Sequence, residues 1–221
     1  MESHTNRAIV LSGGEPLIDG GEFDLPDDPN VYVIAADSGL HHAPMLGLDV
    51  DLVIGDMDSV EPAILDTAIQ GGSTAQLYPS DKDHTDLELA VEAALALRLD
   101  RIFVVGSYAG RLDHLLGAMQ LLVAVAERGA EITWTDGRTS VAVCRPGRTV
   151  VIRGHAGDRV SLLPGMLDAT GVSTAGLRWD VDGEVLVAGS SRGISNILTD
   201  DRAVITIETG VVLTIHERTE Q

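Results

Sequence analysis

The chain predicts an α/β fold: an N-terminal, mostly parallel open sheet with helices on both faces, followed by a small antiparallel β-sandwich-like domain. Three observations carry this. Short Val/Ile/Leu-rich runs alternate with helix-like periodicity over the first two thirds, the pattern of a parallel sheet covered on both faces. From about Arg145 the helical pattern stops and short strand-like runs follow one another between Gly, Asp and Ser turns. Finally, 221 residues, 44% of them hydrophobic, can bury one large core or two small ones.

The elements follow in order. "RAIVLSGG" reads as a first strand ending in a glycine turn, and "NVYVIAADSG", "DLVIGDMDS", "TAQLYPSD" and "RIFVVGSYAG" as the next four. Helical candidates lie between them at Leu40–Leu46, Glu61–Ile69, Asp83–Arg98 and Asp113–Arg128. In the third of these, Leu87, Val91, Ala94 and Leu95 share one face, and Thr85 with Glu88 fits a reciprocal capping box. "EITWTDG" reads as a strand at the far edge, with Trp134 as packing. Beyond it, "RTVVIRG", "DRVSLLPG", "GLRWDVDGEVLVAG" and "DRAVITIETGVVLTIHE" read as strands without a helix among them. "CRPGR" is the expected boundary, giving an α/β domain over 1–145 and a β domain over 146–221.

The formal charge of −19 excludes nucleic acid and anionic membrane as partners, because phosphate repulsion dominates the encounter. A nucleotide whose charge is neutralised by divalent cations remains compatible, and a cationic small molecule is attracted. The single cysteine, Cys144, lies in the apolar run "VAVC" and reads as a buried small hydrophobe in a reducing compartment. "MESHTNR" has neither the charged nor the apolar region of a signal peptide, and no apolar stretch spans a bilayer, so a cytoplasmic protein is expected. The histidines, His41 and His42 included, show no metal-ligand spacing and read as surface or capping residues.

Lys82 is the only lysine among the fifteen Lys and Arg residues, and it stands between Asp81, Asp83 and Asp86. Comparable polar clusters end the other strands: Gly13-Gly14-Glu15, Asp37-Ser38-Gly39, Asp56 and Asp58 with Ser59, and Arg111, Asp113 and His114. In an open parallel sheet these ends share one rim, where ligands bind. Taken singly, each cluster is equally well read as helix capping. Four acidic clusters on one rim repel one another unless a cation lies between them, and Mg²⁺, held by carboxylates and substrate phosphates, is the natural candidate. Asp56-Met57-Asp58 alone also fits the D-x-D of a glycosyltransferase. No G-x-x-x-x-G-K-[ST] loop is present.

In this order and spacing, "ADSG", "GDMDS", "DKDHTD" and "GRLDH" resemble the motifs of the thiamine pyrophosphokinase family, and "TAGLRW" and "SSRGISN" resemble its thiamine-contacting segments. Two positions depart from the family's pattern: Ala109 replaces the first glycine of G-G-R, and Ala118 an asparagine found in many members. The resemblance implies transfer of pyrophosphate from ATP to the hydroxyl of thiamine, with Mg²⁺ as cofactor. Asp56, Asp58 and Asp86 would then hold the metal, with Asp83 completing the shell or binding metal-held water. Gly13, Gly14, Asp37, Ser38, Gly39, Ser59, Lys82, Arg111 and His114 would line the ATP phosphates, and Asp113 would stand nearest the accepting hydroxyl as base or orienter. Trp179 would stack on thiamine, Ser195 and Asn196 would hydrogen-bond its pyrimidine, and a homodimer would let Trp179 complete the partner's site. The alternatives are a related pyrophosphokinase acting on a pterin alcohol and a non-catalytic nucleotide-binding or sensing protein.

Overall fold

The computed structural model describes residues 6–18 and 20–219, so Met1–Thr5 of the stretch read for a signal peptide lies outside the described residues. Two compact units result. The first comprises the chain up to Met119 together with Ala130–Gly137, the second Gln120–Gly129 and the chain from Arg138 onward.

In the first unit the strands are β1 (Arg7–Leu11), β2 (Tyr32–Ala36), β3 (Leu52–Gly55), β4 (Thr74–Leu77), β5 (Arg101–Val105) and β6 (Glu131–Thr135). They lie in the order β6-β5-β1-β2-β3-β4, and every neighbouring pair is parallel. β1 is thus the reversal point of the order, flanked by β2 and β5, which is where such sheets bind ligands beyond their carboxyl ends. β1, β2 and β3 are buried on both faces because a helical layer covers each. Ile9, Leu11, Val33, Ala35 and Val53 pack with Leu40 of a 3-10 helix (Asp37–His42), Ala43 of α1 (Ala43–Leu46), and Ile64 and Leu65 of α2 (Pro62–Gln70). The alternate residues, Ala8, Val10, Ile34 and Ile54, point the other way, and α3 (Asp86–Ala96) lies over β1, β2 and β3 with Ala90, Val91 and Ala94 buried.

The third predicted helix begins at Asp86, three residues later than the periodicity suggests, because Thr85 is its N-cap: Thr85 Oγ1 accepts the Glu88 N–H at 3.2 Å. The reciprocal arm of the capping box is replaced, since Glu88 Oε1 pairs with His84 Nδ1 at 3.1 Å. α4 (Leu112–Glu127) is continuous, its first half in the first unit and its second half in the other.

The second unit is a sandwich. β12 (Asn196–Ile197), β9 (Arg159–Pro164), β14 (Val212–Glu217) and β7 (Thr139–Cys144) hydrogen-bond in that order, and β11 (Glu184–Leu186), β10 (Ala169–Ala175), β13 (Arg202–Thr206) and β8 (Val150–Arg153) form a four-stranded sheet. All these pairings are antiparallel. Inward residues of both layers, among them Cys144, Ile152, Val160, Leu162, Val172, Leu186, Ile205 and Val212, make one core. Cys144 is fully buried, as its apolar neighbours indicate. "CRPGR" forms the turn between β7 and β8, closed by the Arg148 N–H on the Arg145 carbonyl. "GLRWDVDGEVLVAG" is a strand only at Glu184–Leu186; Leu177 makes an isolated bridge to Leu198, and a turn follows.

Two histidines differ from the surface or capping reading. His42 is buried at the end of the 3-10 helix, and burial, then the neighbouring His41, lowers its imidazole pKa. His216 on β14 is buried against Asp158, with Nε2 2.9 Å from Oδ2.

Candidate active site

The carboxyl ends of β2 and β3 bring Asp37, Asp56 and Asp58 together, with one carboxylate oxygen of each within 4.8 Å of the others. The backbone is bent to do so. Asp37 and Met57 have φ of 46° and 62°, left-handed values that cost a non-glycine residue roughly 1–3 kcal/mol and gather at functional sites. Gly55 explains the convergence: a Cβ there would lie 2.9 Å from Asp86 Oδ1 and 3.1 Å from Asp37 Cβ. Only glycine lets the Asp37 and Asp86 side chains approach over the end of β3.

Lys82 bridges this group. Its Nζ lies 3.1 Å from both Asp56 Oδ2 and Asp86 Oδ1. Hydrogen bonding to Lys82 lowers the Asp56 carboxyl, while the pairing with Asp56 and Asp86 raises the ammonium against the desolvation that opposes it. Ser59 Oγ donates to Asp58 Oδ1 at 2.8 Å. Asp37 is the exception among the acids. Burial, then the charges of Asp86 and Asp56, raise its carboxyl above the ordinary carboxylate value. Its Oδ1 is buried without a hydrogen-bond partner. An orphaned buried carboxylate oxygen beside two other carboxylates is what a hard divalent cation with oxygen ligands satisfies, so the donor set fits Mg²⁺. Asp83 is exposed and stands outside this cluster.

Arg111 and Asp113 flank the start of α4. Arg111 Nε and Nη2 meet Asp113 Oδ1 and Oδ2 at 3.1 and 2.6 Å, a planar fork on a carboxylate. Both are exposed, and the pairing lowers the Asp113 carboxyl. Asp113 Oδ1 also accepts the His114 N–H at 3.0 Å. Gly13 and Gly39 allow the β1 turn to lie against the 3-10 helix: a Cβ on Gly13 would meet Ser38 Oγ, and one on Gly39 the Leu11 carbonyl. Gly14, with φ of 121°, continues that turn in the open.

Two bonds were invisible to sequence patterning. Trp134 Nε1 donates to the Gly106 carbonyl at 2.8 Å, and the Tyr108 hydroxyl donates to the Trp134 carbonyl at 2.7 Å. These bonds fix the turn after β5. Their acceptors are backbone carbonyls distant in sequence, so no motif marks them.

In the second unit Trp179 is 58% exposed, with the Arg178 guanidinium carbon 5.2 Å from its ring centroid. Ser195 is exposed with φ of 63°, and its N–H donates to Ser161 Oγ at 3.0 Å. Asn196 is buried and directs its amide at the Trp179 backbone.

A parallel sheet with carboxylates and a lysine at its ligand-binding rim, followed by an antiparallel sandwich with an exposed indole, is the arrangement of a phosphate-transferring enzyme with an appended β unit. The chain belongs to the thiamin pyrophosphokinase family: residues 28–134 match the family's catalytic domain and residues 149–212 its vitamin B1 binding domain. It is 26% identical to the thiamine pyrophosphokinase of Bacillus subtilis over 205 residues, covering 90% of this chain and 96% of the relative. The B. subtilis crystal structure aligns at a TM-score of 0.80 and 25% identity, covering 97% of this chain and 100% of that one. The thiamin pyrophosphokinase of Geobacillus thermodenitrificans aligns at 0.76 and 26%, covering 97% and 99%.

Proposed function

We propose that the protein transfers the terminal diphosphate of ATP to the hydroxyl of thiamine, releasing AMP, at the rim formed by Asp37, Asp56, Asp58, Lys82 and Asp86. The hydroxyl oxygen bonds to the β-phosphorus, the bond from that phosphorus to the α,β-bridging oxygen breaks, and the hydroxyl proton is lost. The convergence of Asp37, Asp56 and Asp58 on one point carries this reading.

Asp37, Asp56 and Asp58 would hold Mg²⁺, with Asp86 joining them and Asp83, outside the cluster, reaching the ion only through water. When bound, Mg²⁺ would supply positive charge that neutralises the negative charge developing on the phosphates during transfer. Lys82, already poised between two carboxylates, supplies a point charge to the phosphate chain, and Arg111 a planar fork. Gly13, Gly14, Ser38, Gly39, Ser59 and His114 line the nucleotide side. Asp113 is a weak base while Arg111 holds its pKa down, so it serves to orient the acceptor hydroxyl. Trp179 stacks on thiamine with Ser195 beside it, and the protein works as a homodimer in which Trp179 completes the partner's site. Large exposed apolar side chains of the second unit, Met166 and Leu167 among them, support a covered surface there. No helix among the described residues is long and apolar enough to cross a membrane. A reducing, ATP-supplied cytoplasm suits the enzyme and its lone Cys144.

Incubation with ATP, Mg²⁺ and thiamine, followed by separation of products, tests the proposal. Thiamine diphosphate and AMP in equal amounts are expected. ADP with thiamine monophosphate, free phosphate alone, or turnover only with a pterin alcohol would each refute it.

A further inference from the structure

An exposed indole makes a poor stacking platform unless its backbone is held, because ordering a mobile ring opposes binding. Trp179 lies in a turn, outside any strand, yet its peptide is gripped from both sides by one residue. Asn196 Oδ1 accepts the Trp179 N–H at 3.1 Å, and Asn196 Nδ2 donates to the Trp179 carbonyl at 2.8 Å. Oδ1 also accepts the Ile197 N–H at 2.9 Å, which fixes the amide's orientation: flipped, its NH₂ would face two N–H donors. The clamp is itself anchored. Asn196 is only 8% exposed, pairs in β12 with Val160 of β9, and follows Ser195, whose N–H is bonded to Ser161. One residue earlier, the Arg178 N–H reaches the Ile197 carbonyl at 2.8 Å, so the side-chain clamp extends a backbone pairing that the turn would otherwise end.

We propose that Asn196 is a positioning residue for the acceptor. It acts on thiamine through the Trp179 ring rather than by touching the pyrimidine, replacing the strand pairing that Trp179 lacks. This rests on the reading that Trp179 receives thiamine.

The test uses the full enzyme labelled with 5-fluorotryptophan. The chain has two tryptophans, so ¹⁹F NMR gives two resonances, assigned through Trp179→Phe. Asn196→Leu, similar in size but without either hydrogen-bonding arm, should shift or broaden the Trp179 resonance in the ligand-free protein and leave the buried Trp134 resonance in place. Its thiamine KM should rise about tenfold, with kcat and the ATP KM within about twofold, and Asn196→Asp, which keeps the acceptor arm, should lie between. If Asn196→Leu fails to fold, Asn196→Asp carries the same comparison. In a Trp179→Ala background, Asn196→Leu should add almost nothing, since both act through one ring. A full additional rise there would mean that Asn196 touches the ligand itself, overturning the inference. So would an unchanged Trp179 resonance, or an unchanged thiamine KM in a folded Asn196→Leu enzyme while Trp179→Ala raises it. If Trp179→Ala leaves the thiamine KM unaltered, the reading of Trp179 fails and this inference with it, whatever the resonance does.

Discussion

At the scale of single residues, Asp37 sets function against stability. Burial raises its carboxyl above 3.8, so the folded state binds the proton more tightly than the unfolded chain does. Stability therefore falls as pH rises from the ordinary carboxylate range through the folded pKa, and at neutral pH the buried charge is a net cost. Asp37→Asn should raise Tm in chelator while lowering turnover by about 10²-fold or more. Mg²⁺ should raise the Tm of wild type and not of the variant; a variant with lower Tm and normal turnover would remove Asp37 from the site. Arg111 makes a second case. Lysine cannot reproduce its fork on Asp113, so Arg111→Lys should lower kcat and raise the ATP KM together. Unchanged steady-state kinetics would leave Arg111 as a surface ion pair. The motif order in the sequence marks Asp37 as a phosphate neighbour. Its place in the carboxylate group depends on burial and a left-handed φ, which a lone sequence does not display.

At the scale of elements, the closing strand of the sandwich is held by a buried acid. Asp158, just before β9, accepts the His155 N–H and His216 Nε2 on one oxygen, and the Thr219 N–H and hydroxyl on the other. Although burial opposes it, this set of bonds holds the carboxyl at about 2. A depressed folded pKa means stability that is present above the unfolded value and lost as pH falls from about 4 towards about 2. The shift corresponds to about 2 kcal/mol. Asp158→Asn should therefore lower Tm at pH 7 by roughly 5 °C or more, and the gap from wild type should shrink as pH drops through that window. A gap independent of pH would show that the hydrogen bonds matter and the charge does not. Nothing in "HAGDR" advertises this, because apart from the His155 N–H the partners come from β14 and beyond. The strands of the first unit, by contrast, are legible: burial on both faces forces continuous apolar runs such as "LVIG". β10, "ATGVSTA", is half-exposed and rich in small residues, and so escapes the same reading.

At the scale of the whole molecule, the proposed homodimer brings the phosphate rim of one subunit to the acceptor platform of its partner. Trp179→Ala should raise the thiamine KM about tenfold, the equivalent of 1–2 kcal/mol of stacking, and leave the ATP KM nearly unchanged. Mixing folded Trp179→Ala subunits with Asp58→Asn subunits, each weak alone, should restore activity, since one hybrid site would be intact. No restoration in a confirmed mixed dimer would place both residues in the same subunit's site. The motifs announce the rim and the indole separately. The proposed sharing of them between subunits is a property of assembly, which no spacing within one chain encodes. The most direct measurement of the central claim is a single turnover with ATP labelled at both its β- and γ-phosphorus, followed by ³¹P NMR or mass analysis of the products. Both labels should arrive on thiamine as one intact diphosphate, with unlabelled AMP released. Transfer of the γ label alone, with labelled ADP left behind, would contradict it.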